Sequence, residues 1–199
     1  MKIIFATANE NKLREVSAIM SDSGLELVSM REAGLTDDIP EDGATFMDNA
    51  LIKARAVAGL LGENAMADDS GLEIDCLGGS PGVHSARYLG DKTPYAIKNR
   101  RILELLAGVP VERRAARFVC AIAFVGADGV TLCAEAKMEG RVAFTPAGSN
   151  GFGYDPIFYL PEYGMTSAEL HADGKNKISH RGLALRLIKE KLSERFNLS

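Results

Sequence analysis

The sequence predicts an α/β fold, a mixed sheet with helices on its faces, and three observations predict it. Short apolar runs at 2–6 and 25–30 bracket a segment whose apolar residues recur at helical spacing, which is a β-α-β opening. Residues 117–125 are apolar on both faces, as a central strand is. Asp128-Gly129 then turns that run into a partner at 130–139, so part of the sheet is a hairpin.

Taken in order, the strand at 2–6 leads into a helix from Asn9 to Ser23. Leu13, Val16, Ile19 and Met20 form its apolar stripe, and Gly24 is a natural stop. A second strand covers 25–30. After a polar loop with Pro40, a helix spans 45–61. Thr45-x-x-Asp48 is a capping-box start with Asp in place of the preferred Glu, and Gly62 closes the helix. Strand-like runs at 65–68 and 72–77 flank Asp69-Ser70-Gly71, which reads as a turn, and GGSPG follows. A helix covers 94–107, and a last one starts near Ser179 and runs to Phe196. No repeat, low-complexity tract or linker interrupts the chain, so residues 1–199 are expected to form one domain.

Bulk properties narrow the function. The 199 residues, 46% of them hydrophobic, suffice to bury a full core, with room for a lobe. A net charge of −4 argues against a surface that grips nucleic acid, whereas a small anion needs only a local cation cluster. No apolar run approaches the roughly 18 residues of a membrane span. The opening MKIIFATANENK turns polar too soon for a signal peptide. Cys76, Cys120 and Cys133 are odd in number and form no C-x-x-C pair. They read as small buried hydrophobes in a reducing compartment, which points to the cytoplasm.

Five stretches offer chemistry, each with a plainer reading beside it. TANENK (7–12) sits where strand meets helix, so free N–H groups, Thr7, Asn9 and Lys12 suit a phosphate; an Asn N-cap with a solvated lysine is the plainer account. Glu41 and Asp42 precede the second helix. Lys53 lies beside Ala50 and Val57 at the edge of its apolar arc, one turn after Asn49. That lysine either snorkels or stands near a buried anion. Asp68-Asp69-Ser70-Gly71 is either a turn or a Mg²⁺ site, since magnesium binds through one or two carboxylates plus substrate phosphates. GSNGFGYDP (148–156) presents Phe152 and Tyr154 either as a stacking platform for a base or as plugs for the core, with Asp155 fixing the loop or meeting a base edge. KNKISHRG (175–182) puts Lys175, Lys177, His180 and Arg181 at a helix start, a poor arrangement unless an anion sits there. The three histidines are isolated and no G-x-S-x-G elbow occurs, so zinc and Ser-His-Asp chemistry are both unsupported.

T-x-N-x-x-K, E-D-G-A-T-F-M-D-N-A-L-I-K-A, A-D-D-S-G-L, S-P-G-V-H-S-A-R-Y, G-F-G-Y-D-P and S-H-R-G occur in that order. With them the chain resembles the inosine triphosphate pyrophosphatase family from about residue 5 to about residue 190. The resemblance implies an elongated mixed sheet forming two lobes around a central cleft, and a homodimer. It also implies Mg²⁺-dependent cleavage of ITP, dITP and XTP to the monophosphate and pyrophosphate. Carried over by motif, Thr7, Ala8, Asn9, Glu10, Asn11 and Lys12 would bind the triphosphate. Glu41 and Asp69 would hold the metal. Asp69 would accept the proton of the attacking water, with Lys53 beside it in the catalytic set. Ser70 and Lys53 would contact phosphate. Phe152, Gly153, Tyr154, Asp155, Lys175, His180 and Arg181 would enclose the purine and its sugar-phosphate end.

Ala8 stands where many members have Gly, implying an ordinary backbone angle, and His84 where many have a larger aromatic. At an ordinary pKa near 3.9, Asp69 is a weak base, so the metal must acidify the water. Donors from His180, Arg181 or loop N–H groups would pair with the 6-keto oxygen of hypoxanthine and clash with the amino group of adenine. Two rivals remain: a septum-formation-inhibitor-type pyrophosphatase acting on pyrimidine or modified nucleotides, and a sensor that holds ITP uncleaved. FGYD and SHR argue against the first; the Lys53, Glu41 and Asp69 set argues against the second.

Overall fold

The β-α-β opening is present in the computed structural model, which describes residues 1–21, 24–37 and 39–197. Strand β1 (Lys2–Phe5) and strand β2 (Glu26–Ser29) run parallel, with Ile3 opposite Leu27, and helix α1 (Glu10–Met20) joins them. The expected end of that helix at Ser23 lies outside the described residues. Helix α2 (Phe46–Leu61) starts at the predicted capping box. The Thr45 side chain accepts from the Asp48 N–H, and Asp48 accepts from the Thr45 N–H. Gly62, in the left-handed region at φ 66°, ends it by donating to the Ala58 carbonyl.

Strand β3 (Ala65–Ile74) runs parallel to β1. Its length corrects the expected turn: Asp68, Asp69, Ser70 and Gly71 all lie within one unbroken strand. Turn propensity loses here because every charged group of the stretch finds a partner from a neighbouring element, as described below. Helix α3 (Tyr95–Leu105) begins just after Pro94. Strands β4 (Ala115–Val125) and β5 (Thr131–Val142) are sheet neighbours joined through a turn closed by Gly126 donating to the Val130 carbonyl.

Two short strands extend the sheet, β6 (Phe158–Leu160) antiparallel to β5 and β7 (Met165–Thr166) antiparallel to β6. The sheet order is β2-β1-β3-β4-β5-β6-β7, parallel at one end and antiparallel at the other, so it is mixed as predicted. Helix α4 (Ala172–Ile178) was not foreseen; at seven residues it is too short to show a period. Ser179 ends it, and helix α5 (His180–Phe196) follows at once.

The chain divides into two compact units, 1–70 with 120–136 and 180–199, and 71–119 with 137–179. In the first, Ile3 and Phe5 of β1, Met66 of β3 and Ile122 and Phe124 of β4 pack with Val16 of α1 and Leu185, Ile188 and Leu192 of α5. In the second, Leu72, Ile74, Ile102, Phe118, Tyr154 and Phe158 form a separate cluster. No helix among the described residues is long and apolar enough to cross a membrane.

Cys120 belongs to the first core, and burial pushes its thiol up to about 12. Cys76 and Cys133 are half-buried. A maleimide reagent applied to the native protein is therefore expected to label Cys76 and Cys133 and to spare Cys120 until denaturant is added. Mass mapping of the labelled peptides checks this, and rapid native labelling of Cys120 would contradict it.

Candidate active site

Because β3 is extended, successive side chains point to opposite faces, and the two aspartates separate. Asp68 shares a face with Met66, towards α1 and α5. It is fully buried and accepts from Arg181 Nε and Nη2 at 3.2 Å each, with Lys12 Nζ also at 3.2 Å. Burial alone would raise its pKa, but Lys12, Arg181 and Lys53 outweigh burial and hold the carboxyl well below the usual range. Arg181 is itself buried. Its guanidinium also donates to Ser70 Oγ at 2.8 Å and pairs with Glu15 of α1.

Asp69 faces α2 instead. Its Oδ2 accepts from Asn49 Nδ2 at 2.9 Å and its Oδ1 from the Ser70 N–H at 2.9 Å. Burial raises its pKa, Lys12 and Lys53 pull it down, and the Glu41 charge raises it again; the net shift is upward. The expected ordinary acidity is thus corrected: Asp69 is a stronger base than a solvated aspartate. Lys53 is buried where the helical wheel put it, on the face that includes Asn49, Ala50 and Val57. It does not snorkel, because Nζ donates to the Asp68 carbonyl at 2.7 Å and pairs with Glu41.

Asn49 ties these parts together, since its Oδ1 also accepts from the Gly43 N–H at 2.8 Å. A β-carbon on Gly43 would stand 2.6 Å from Asp48 Cβ and 2.8 Å from Asn49 Oδ1, so only glycine fits there. Neither Asn49 nor Gly43 was singled out from sequence as a site residue. The signal for Asn49 was its position one turn before Lys53 on the same face. Glu15 left no signal, because its partner lies 166 positions away.

No trio of His, Cys, Asp or Glu among the described residues is arranged to hold a metal alone. Two carboxylates and substrate phosphates suffice for Mg²⁺. Glu41 and Asp69 are the two carboxylates on offer: the Glu41 charge raises the Asp69 pKa, and each Asp69 oxygen carries one hydrogen bond, leaving lone pairs. The donor set fits magnesium.

At the start of α1 the plainer reading of residues 7–12 is observed in part. Asn9 Oδ1 caps the helix by accepting from the Asn11 and Lys12 N–H groups at 3.0 and 3.2 Å, and Thr7 Oγ1 accepts from the Asn9 N–H at 3.1 Å. Lys12 is not a solvated lysine, because it pairs with the buried Asp68. Thr7, Ala8, Asn9 and Glu10 line a cavity of about 100 Å³ with Arg31 and Thr36.

In the second unit the loop at 148–156 resolves its alternatives residue by residue. Tyr154 is buried and belongs to the core, whereas Phe152 is only half-buried. Asp155 is buried and fixes the loop: it accepts from the Phe152 N–H at 2.9 Å, Ser167 Oγ at 2.9 Å and Lys175 Nζ at 2.7 Å. Lys175 Nζ also stands 5.4 Å from the Phe152 ring centre. Four cations at one helix start are therefore not what the structure holds. Lys175 and Lys177 lie in the last turn of α4, where the helix dipole favours them, and Lys175 and Arg181 both have carboxylate partners within the chain.

The profile of the Ham1 family matches residues 3–191. A dITP/XTP pyrophosphatase of Xylella fastidiosa is 47% identical over 191 residues, covering 95% of this chain and 96% of the relative. One of Geobacillus kaustophilus is 46% identical over 193 residues, covering 97% and 95%. Among solved structures, the HAM1 protein of Coxiella burnetii superposes with a TM-score of 0.89 at 41% identity, covering 98% of this chain and 99% of that one. The Ham1 protein of Staphylococcus aureus gives 0.88 at 36% identity, covering 98% and 100%. The expected resemblance and mixed α/β fold are borne out, and the chain belongs to the Ham1 family.

Proposed function

We propose that residues 1–199 act as one Mg²⁺-dependent pyrophosphatase domain, cleaving dITP, ITP and XTP to the monophosphate and pyrophosphate in the cytoplasm, as a homodimer. The observation that carries this reading is the division of labour on β3. Asp68 is neutralised from within by Lys12 and Arg181, while Asp69 stays basic beside Glu41 and Lys53. Relatives at 47% and 46% identity are named dITP/XTP pyrophosphatases, which supports dITP and XTP among these substrates.

Glu41 and Asp69 would hold the magnesium, which supplies an acidified water and charge neutralisation on the phosphates. Asp69 takes the proton of the water that attacks the α-phosphorus. Asn49 and the Ser70 N–H hold its carboxylate in place for that transfer. Lys53 balances Glu41, and with Ser70 and residues 7–12 it meets the triphosphate as charge builds on the leaving pyrophosphate. Phe152 stacks on the purine, with Gly153, Tyr154, Asp155 and Lys175 shaping that wall. His180 and Arg181 supply donors to the 6-keto oxygen, the guanidinium being oriented by Asp68, Ser70 and Glu15.

A panel of ITP, dITP, XTP, GTP, ATP and pyrimidine triphosphates, scored for pyrophosphate with and without Mg²⁺, tests the reading. Release from the first three only, and only with metal, is expected. Binding of ITP without release would make the protein a sensor, and preferred cleavage of pyrimidine nucleotides would overturn the purine assignment.

Gly43→Ala is expected to move the loop that bears Glu41, because its β-carbon displaces Asn49. A several-fold higher Mg²⁺ requirement should follow, read by titrating metal against pyrophosphate release. An unchanged requirement would separate Glu41 from the metal.

A further inference from the structure

Helix α3 lies outside every motif that carries the family resemblance, yet consecutive buried residues on it grip the backbones of two motif loops. Lys98 Nζ donates to the Ala86 carbonyl in S-P-G-V-H-S-A-R-Y. Asn99 Nδ2 donates at 3.1 Å to the Gly153 carbonyl in G-F-G-Y-D-P. Tyr95, one turn before Asn99, sets its ring edge-on to Tyr154, with centroids 5.2 Å apart and planes at 90°. Tyr154 in turn donates from its hydroxyl to the Ser85 carbonyl at 2.8 Å, tying the same two loops together.

Two further observations single out Asn99. Its Oδ1 is buried without a hydrogen-bond partner, while the bond to Gly153 dictates which way the amide points. A leucine of the same branched shape would avoid that unsatisfied acceptor, so packing does not account for the amide; the bond to Gly153 does. Beside it, a cavity of about 620 Å³ is lined by Tyr95, Asn99, Leu103, Phe152 and Pro156 among others. The loop has no close-packed wall on that side, so directed contacts stand in for packing. Gly153 sits in the left-handed region at φ 71°, with Tyr95 ring atoms 3.6 and 3.8 Å from where its β-carbon would be.

We propose that Asn99 and Tyr95 are positioning residues for purine selection, holding Gly153 so that the adjoining Phe152 ring keeps the attitude that receives the base. This rests on the reading of residues 152–155 as the purine wall. Loosening that attitude weakens binding of the base and leaves the bond-breaking step at Asp69 alone.

Asn99→Leu tests it, with KM and kcat for ITP and the ITP-over-ATP ratio of kcat/KM measured beside thermal stability. The melting temperature is expected to hold, kcat to stay within about twofold, and KM to rise about tenfold, the worth of one lost hydrogen bond. The ITP-over-ATP ratio should shrink with it. Tyr95→Ala should act the same way, whereas Tyr95→Phe, which keeps the ring, should match the parent. Asn99→Asp keeps the volume but turns the donor into an acceptor, and serves if the leucine variant fails to fold. A folded variant with parental KM and ratio, or one that loses kcat at constant KM, overturns the proposal. If the parent cleaves none of ITP, dITP and XTP, the proposed function falls and takes this inference with it. Cleavage by the parent with an indifferent Asn99→Leu sinks this inference alone.

Discussion

Asp69→Asn is expected to lower turnover by about 10²–10⁴-fold at saturating Mg²⁺ and nucleotide, the usual worth of a positioned proton acceptor. The loss should not come from unfolding. Burial raises the Asp69 pKa, so the folded protein disfavours its charge, and a neutral amide relieves that cost. The melting temperature is therefore expected to stay level or rise in the absence of metal. Oδ1 of the new side chain still accepts from the Ser70 N–H, so the strand should stay in register, while the new amide group meets Asn49 Nδ2 donor to donor and offsets part of that relief. Steady-state pyrophosphate release and a thermal melt on the same preparation separate the two effects. Near-parental turnover would remove Asp69 from the chemistry.

Arg181→Ala, by contrast, should act first on stability. It strips a buried carboxylate of its main hydrogen-bonding partner, and breaking such a pair costs about 3–5 kcal/mol. The lower end applies, because Lys12 remains 3.2 Å from Asp68. A urea melt measures the change, and adding Asp68→Asn should restore much of it by removing the stranded charge. A variant as stable as the parent would mean that the ion pair contributes nothing to the fold.

The pH dependence carries a definite sign. The folded Asp68 pKa lies below its unfolded value, so its contribution is complete above about pH 4 and is lost as pH falls further. Arg181→Ala should flatten that acid limb. In the folded fraction, a narrowed ITP-over-ATP ratio would mark direct contact with the base. An unchanged ratio with lower rates would make Arg181 a support for Asp68.

Local features were legible because their causes are local. The Thr45–Asp48 capping box, the Gly62 stop, the β-α-β opening and the hairpin through Asp128-Gly129 each depend on neighbours a few residues away. The burial of Lys53 was readable in the same way, from its place on the wheel beside Ala50 and Val57. What the head group met was not readable: snorkelling and a buried anion fit the same spacing, and only the fold brought Glu41 and the Asp68 carbonyl to Nζ.

The sequence by itself determined the fold class, the motif order and the residue types able to handle a metal and a triphosphate. Asp69 was already singled out by its motif, and the fold then showed what each of the two adjacent aspartates meets. Four residues of turn-forming character became continuous strand because α1, α5 and α2 deliver Lys12, Arg181 and Asn49 to their opposite faces. Those contacts span up to 113 positions in the chain, and no local pattern encodes which charge meets which. The free energy of a buried charge depends on its three-dimensional neighbours, so only the folded chain could hold the Asp68 carboxyl below the ordinary range and the Asp69 carboxyl above it.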